Sequence, residues 1–366
     1  MEIQGLNSWG GHYKRPLIMA GPCSAESFEQ LRDTTQAISN LGINTIRAGV
    51  WKPRTRPNQF EGVGLSALKW IRDIKAEFNV VFAVEVANPH HVEESLYHGV
   101  DILWIGARST VNPFTVQEIA NSLRGMDIPV FVKNPINPDL SLWIGAIERL
   151  HQAGLTKIGA IHRGFSSYQK TRFRNVPQWR IPLDLKKNLT EIPLICDPSH
   201  IAGDRTMILE LSQKAADLDF DGLMIETHRA PDDAWSDAKQ QITPDRLGEI
   251  LNQIKFRNPT SKNKEFISHL EELREEIDQL DQELYEVISN RMKLVDQIGF
   301  FKRDNNVTIF QKNRWKEISE SRHDWATKLG LDPEFMDELF KMIHENSIRR
   351  QTLIMNQETE KTKDVS

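Results

Sequence analysis

Eight short apolar runs, rich in β-branched residues and spaced by stretches of helical periodicity, constrain this chain more than any other feature. They lie at 16–23, 44–50, 80–86, 102–107, 129–133, 157–162, 193–197 and 222–227. Amphipathic stretches at 28–41, 66–78, 140–153 and 201–218 separate several of them. Strand-helix alternation argues a parallel sheet with crossover helices. Eight such units in about 240 residues predict a (β/α)8 barrel, an α/β fold. The sixth crossover, 164–191, is the weakest, because Pro177 and Pro182 interrupt it.

The strand ends carry the chemistry. Cys23, Arg47, Glu85, Arg108, Lys133, Arg163, Asp197, His200, Glu226 and His228 all fall at or just beyond the C-terminal ends of the eight runs. In a barrel these ends converge on the face where active sites sit. Arg47, Lys52, Arg54, Arg108, Lys133 and Arg163 are six cations for one pocket, and pairing with Glu85 and Asp197 does not neutralise them. Unpaired buried cations are costly, so the pocket is expected to receive phosphates or carboxylates. Cys23, His200, Glu226 and Asp237 offer a thiol, an imidazole and two carboxylates, a set suited to a divalent transition metal. These residue types do not choose among Mn, Fe, Co and Zn; manganese is taken first. Cys196 reads as an inert core thiol, and His90, His91 and His228 as solvent-facing or supporting groups.

Composition narrows the class. The chain has 366 residues, 39% hydrophobic and 27% charged, with two cysteines and a net charge of −5. No apolar run is long enough for a membrane span, and the start has no signal-peptide core. Two cysteines exclude a disulfide framework and suggest a reducing, cytoplasmic setting. The acidic balance argues against nucleic acid as a partner. All of the acidic excess lies in residues 258–366, which hold 17 Lys+Arg against 22 Asp+Glu. The domain boundary is therefore set as 1–257, a polar linker at 258–265, and 266–366.

Five motifs of the first domain carry a resemblance. Gly21-Pro22-Cys23-Ser24-Ala25-Glu26, Lys52-Pro53-Arg54-Thr55, Gly106-Ala107-Arg108, Asp197-Pro198-Ser199-His200 and Gly222-Leu223-Met224-Ile225-Glu226 occur in this order. Over residues 14–255 they resemble the shorter subfamily of type I 3-deoxy-D-arabino-heptulosonate 7-phosphate (DAHP) synthases. The resemblance implies condensation of phosphoenolpyruvate with erythrose 4-phosphate, the first step of the shikimate pathway. It implies a metal on Cys23, His200, Glu226 and Asp237. Phosphoenolpyruvate would lie on Arg47, Lys52, Arg108, Lys133 and Arg163, with Lys52 counted as catalytic, and the sugar phosphate on Arg54 and Thr55. The metal would polarise the aldehyde oxygen. The base for the water that adds next stays open between Glu85 and the metal centre. The nearest rival is KDO 8-phosphate synthase, which takes arabinose 5-phosphate. That family has Lys-Ala-Asn-Arg where this chain has Lys52-Pro53-Arg54-Thr55.

The second domain reads as all-helical. Leu270, Leu273, Ile277, Leu280, Leu284, Val287, Leu294 and Ile298 form a heptad-period seam, predicting one helix over 266–304, about 60 Å long. A helix of that length needs another chain or domain to pack on. Arg291 occupies the step missing from the seam, which is costly unless an anion meets it. Lys302, three turns on, shares its face; Arg274 lies off that face and suits a pocket on a partner chain. Further helices are expected at 312–328 and 333–357, the last presenting Ser347 and Gln351 one turn apart. Leu273-Arg274-Glu275-Glu276-Ile277-Asp278, Arg291, Lys302, Arg314, Ser347 and Gln351 resemble the AroQ-type chorismate mutases, over 267–357. The resemblance implies an intertwined homodimer that rearranges chorismate to prephenate. Arg291 and Arg314 would bind the chorismate carboxylates, Lys302 and Gln351 its ether oxygen, and Arg274 would reach the partner's site. Trp315 stands where the family has Glu, and Gln311 where an acid is common. That departure supports the alternative of a non-catalytic, ligand-sensing dimerisation module. The fusion itself suggests feedback on the barrel by prephenate or chorismate.

Overall fold

The computed structural model describes residues 1–11, 13–53, 60–258, 260–310 and 325–356. Arg54, Thr55, Gln311, Arg314, Trp315 and most of the helix expected at 312–328 lie outside the described residues. The chain divides into two compact units, Met1–Pro259 and Thr260–Ser366.

In the first unit, eight strands run β1 (Leu17–Gly21), β2 (Thr45–Ala48), β3 (Val81–Val86), β4 (Ile102–Ile105), β5 (Val130–Lys133), β6 (Ile158–His162), β7 (Leu194–Cys196) and β8 (Gly222–Glu226). They close in sequence order into one parallel barrel, β8 pairing back onto β1. The strands are continuous apolar runs because both faces are buried. Outward side chains such as Ile46, Val84, Leu103 and Leu223 pack under the helices. Inward ones, Met19, Ala83, Trp104, Phe131, Ile161, Ile195 and Met224, fill the barrel. Gly159 of β6 is part of that fit, since a Cβ there would lie 2.3 Å from the Phe131 ring of β5. The N-terminal segment closes the lower end. Leu6 and Trp9 join the inner core, with Trp9 edge-on to Phe131 at 5.3 Å.

Helix starts follow local chemistry. Ser27, Asn88, Asn112, Asp139, Asp197 and Thr243 each cap a helix through the side-chain oxygen, and four are followed by proline. One expectation is corrected: 201–218 is not one helix. Helix Pro198–Ala202 stops at Gly203, whose φ of 69° is left-handed. Asp204 then restarts the chain by accepting from Thr206 N, and a second helix runs Ile208–Asp217. In the sixth crossover, Phe165 and Val176 form an antiparallel bridge before helix Arg180–Asn188. Pro182 falls in the first turn of that helix, where its missing N–H costs nothing.

In the second unit, the long helix is Lys264–Asp304 and the C-terminal helix is Pro333–Asn356. The long helix starts two residues before 266, because Asn263 accepts from Phe266 N. Met292, Val295 and Gly299 are its buried positions. A Cβ on Gly299 would lie 3.0 Å from Ile354 and 3.3 Å from Gln351, so glycine lets the two helices approach closely. The seam further up is bare, with Leu280 63% and Val287 64% exposed. No helix among the described residues is long and apolar enough to cross a membrane.

Candidate active site

Side-chain alternation builds the barrel mouth. Arg47, Glu85, Lys133 and Glu226 each stand two residues after an inward apolar or small residue, so they form the next layer above it. Trp104 of β4 is the floor of that layer. The Arg47 guanidinium and Lys133 ammonium lie 5.2 and 5.7 Å from its ring centroid. Its Nε1 donates to Glu85 Oε2 at 3.1 Å. Glu85 fits over β4 because residue 106 is glycine, where a Cβ would fall 2.0 Å from Glu85 Oε1.

Three of the expected cations are matched inside the protein. Arg47 lies 3.3 Å from Glu226, and Lys133 donates to Asp197 at 2.7 Å, all four side chains being buried. Lys52 donates to Cys23 Sγ and, at 3.3 Å, to Ser236 Oγ, with Asp237 at 3.9 Å. Asp197 also receives His200 N at 3.1 Å and lies 2.8 Å from His200 Nδ1. Burial pushes the Asp197 carboxyl up, but His200 and Lys133 hold it well below the usual range.

Arg163 and Arg108 differ: neither has an ion pair among the described residues. Arg163 is clamped by neutral groups, its backbone N donating to Asn134 Oδ1 and its guanidinium to Asn175 Oδ1, both at 2.7 Å. Burial, with the Arg174 and Arg108 charges acting in the same direction, lowers its pKa to about 10 against the pull of Asp197. Arg108 is exposed on the short helix Ala107–Thr110. Of the five expected cations among the described residues, the unmatched positive charge is therefore concentrated at two.

Of the four residues expected to hold a metal, three converge. Ligand atoms of Cys23, Glu226 and Asp237 all lie within 4.8 Å of one another. Cys23 Sγ is 3.2 Å from Asp237 Oδ2. His200 stands beside this group, its Nε2 3.7 Å from Glu226 Oε1. Burial and then the Glu226 charge push the Cys23 thiol well up, against Lys52 and Arg47; a cation reverses that balance. Glu226 Oε1 is buried without a hydrogen bond. A sulfur and two carboxylates, one with an inward oxygen that accepts no hydrogen bond, fit a divalent transition metal.

Sequence reasoning missed Arg174, Gln240, Trp104, Asn134 and Asn175, which sit in loops or below the mouth where no spacing rule marks them. Among the histidines, His91 stacks on Trp51 at 3.9 Å, His228 lies 3.5 Å from Glu26, and His90 is exposed. Cys196 is a buried, free thiol facing the outer core.

The helical unit holds a second polar cluster. Arg291 donates to Ser347 Oγ at 2.8 Å, Lys302 donates to the Ile309 carbonyl, and Gln351 Oε1 is buried without a hydrogen bond. Burial lowers the pKa of both Arg291 and Lys302. Neither has a carboxylate partner among the described residues. Arg274 is exposed and, among the described residues, pairs only with Glu271, at 2.6 Å.

Comparison with known proteins matches both units. Residues 4–259 match the family model described as DAHP synthetase I family, and residues 273–352 match chorismate mutase type II. The phospho-2-dehydro-3-deoxyheptonate aldolase of Thermotoga maritima is 29% identical over 238 residues, covering 65% of this chain and 68% of that protein. A 2-dehydro-3-deoxyphosphooctonate aldolase of Francisella tularensis is 26% identical over 265 residues, covering 67% and 92%. The crystal structure of the Thermotoga maritima enzyme superposes with a TM-score of 0.58 at 28% identity, covering 64% of this chain and 67% of that one.

Proposed function

The chain belongs to the DAHP synthetase I family and carries a chorismate mutase type II domain after it, and from that premise we propose how the two sites work. The barrel condenses phosphoenolpyruvate with erythrose 4-phosphate. Arg108 and Arg163 take an anionic group of phosphoenolpyruvate, with Arg47, Lys52 and Lys133 beneath it. The observation that carries this reading is that Arg163 is half-buried, charged and without a carboxylate partner among the described residues, so an anionic substrate completes it. Asn134 fixes its backbone and Asn175 its planar fork for a phosphate or carboxylate.

Cys23, Glu226 and Asp237, with His200 beside them, would hold the divalent metal. When bound, it supplies Lewis-acid polarisation of a carbonyl oxygen. The chain's own groups do the rest. Lys52, tied to Cys23 and Ser236, sets a fixed positive charge at the mouth without reorganisation. Glu85 has one oxygen committed to Trp104, which leaves Oε1 to take a proton from the water that adds to the substrate. Asp197 fixes the ring of His200. Arg54 and Thr55 are assigned to the sugar phosphate.

In the helical unit, Arg291 and Arg314 bind the carboxylates of chorismate, and Lys302 and Gln351 address its ether oxygen. Catalysis there is positional and electrostatic. The unmatched charges of Arg291 and Lys302 and the open Gln351 oxygen support this reading. The bare seam supports a homodimer in which Arg274 reaches the partner's site. The free thiols Cys23 and Cys196 suit a reducing, cytoplasmic compartment.

Prephenate is proposed as the feedback effector. The test is phosphoenolpyruvate consumption by the full chain, with erythrose 4-phosphate and Mn²⁺, while prephenate is titrated. Consumption that falls with prephenate is expected; consumption indifferent to it removes the regulatory role. The relatives of the phosphooctonate class keep a second sugar in view. Faster turnover with arabinose 5-phosphate overturns the four-carbon assignment.

A further inference from the structure

A carboxylate has two oxygens and can present either, or both, to a cation. At this site each of the two carboxylates has one oxygen already engaged. Gln240 Nε2 donates to Glu226 Oε2 at 2.6 Å, deep in the mouth where both side chains are buried. Arg174 donates to Asp237 Oδ1 at 3.0 Å. The two engaging residues are joined, because the Arg174 guanidinium also donates to Gln240 Oε1. The chain of bonds runs Asp237–Arg174–Gln240–Glu226. Its polarity is forced: the guanidinium only donates and the carboxylates only accept, so the Gln240 amide has one orientation that satisfies both ends. What remains are Glu226 Oε1, buried without a hydrogen bond and 3.3 Å from the Arg47 guanidinium, and Asp237 Oδ2, which lies 3.2 Å from Cys23 Sγ.

Arg174 is seated by the same features that broke the expected long helix. A Cβ on Gly203 would lie 2.5 Å from Arg174 Cβ, so glycine is needed beneath it. Arg174 N donates to the Ala202 carbonyl at 3.1 Å, and Asn175 N to that of Ile201 at 3.2 Å. Asn175 Nδ2 donates to the His200 carbonyl at 2.7 Å. The loop that carries Arg174 is thus pinned to the helix that carries His200.

We propose that Arg174 and Gln240 are positioning residues that act as one bracket, selecting which oxygen of Glu226 and which oxygen of Asp237 faces the metal. The proposal rests on the metal reading above and adds to it the residues that orient its ligands. Partners of this kind commonly cost 10–100-fold in metal affinity when removed.

The test measures Mn²⁺ affinity by the free-ion electron paramagnetic resonance signal, and Co²⁺ absorption, on the full chain and on Arg174→Gln, Gln240→Leu and Gln240→Glu. Circular dichroism checks that each is folded. Gln240→Glu keeps the shape but cannot donate to Glu226, so it separates hydrogen bonding from packing. Each variant is expected to bind Mn²⁺ about 10–100-fold more weakly and to shift the Co²⁺ ligand-field bands while keeping a thiolate charge-transfer band. The double variant Arg174→Gln/Gln240→Leu should lose less than the product of the single losses, as members of one unit do. Wild-type affinity and an unchanged spectrum in the variants overturn the bracket alone. Absence of Mn²⁺ and Co²⁺ binding in the unmodified chain overturns the metal reading, and the bracket with it.

Discussion

His162 is one side chain whose burial ties the stability of the barrel to pH. It is fully buried at the end of β6, among Phe165, Trp179 and Phe220, with no hydrogen bond of ordinary geometry on either ring nitrogen. Burial, and next the Arg163 charge, lower its pKa to about 3, against the smaller pull of the Pro177 carbonyl and Asp197. A histidine depressed on folding is neutral in the native state and charged in the unfolded chain between these values. It costs nothing above pH 6.5 and draws stability down as pH falls from there towards 3. Between pH 6.5 and pH 5 this amounts to roughly 2 kcal/mol, or about 4–8 °C of melting temperature. His162→Phe should flatten that part of the melting-temperature profile by this amount, whatever its pH-independent packing cost. An unchanged slope would place the acid sensitivity elsewhere. At this scale the sequence was readable only in part. Arg47, Lys133 and Glu226 stand at strand ends, where a period of two marks them. His162 sits one residue out of phase, on the helix-facing side, and its identity alone does not distinguish a site histidine from a buried one. Arg174 lies in an irregular loop and Gln240 in the short 3-10 turn Ala238–Gln240; they meet through folding, and local spacing carries no trace of that meeting.

At the scale of elements, the eight strands were legible because parallel strands buried on both faces are runs of Val, Ile and Leu. The Ile201–Leu218 region misled for the same reason. Apolar periodicity continues across Gly203-Asp204, while the backbone stops one helix there and starts another. The long helix was legible in extent, but its leucine seam is not the face it buries. Met292, Val295 and Gly299, beside rather than on the leucine seam, are the buried positions, and Gly299 meets the C-terminal helix. Leu273, Ile277, Leu280, Leu284 and Val287 remain exposed. Each large apolar side chain that is fully buried contributes roughly 1.5–3 kcal/mol, so a second copy laid along this face has ample driving force. Ile277→Glu/Leu280→Glu should convert a dimer to a monomer in analytical ultracentrifugation. Identical sedimentation of parent and variant at micromolar concentration would assign the dimer contact to another surface.

At the scale of the whole molecule, the two sites draw on residues of separate compact units. Their losses should separate too. Cys23→Ala should lower phosphoenolpyruvate condensation by about 10²–10³-fold, the worth of several kcal/mol of electrophilic assistance, with chorismate turnover unchanged. Lys302→Ala should do the converse, by a similar factor for one lost donor. Parallel assays of both reactions on each folded variant decide the matter; a variant that loses both would mean the units work as one machine. The solid lower half of the barrel has its own consequence. Trp9 and Leu6 seal one end, and Trp104 forms a floor beneath Arg47 and Lys133. Among the described residues the vessel is closed below and open at the mouth, so traffic through it is last in, first out. Whatever rests on Arg47 and Lys133 must arrive before the molecule held at the rim, and it leaves only after the rim has cleared.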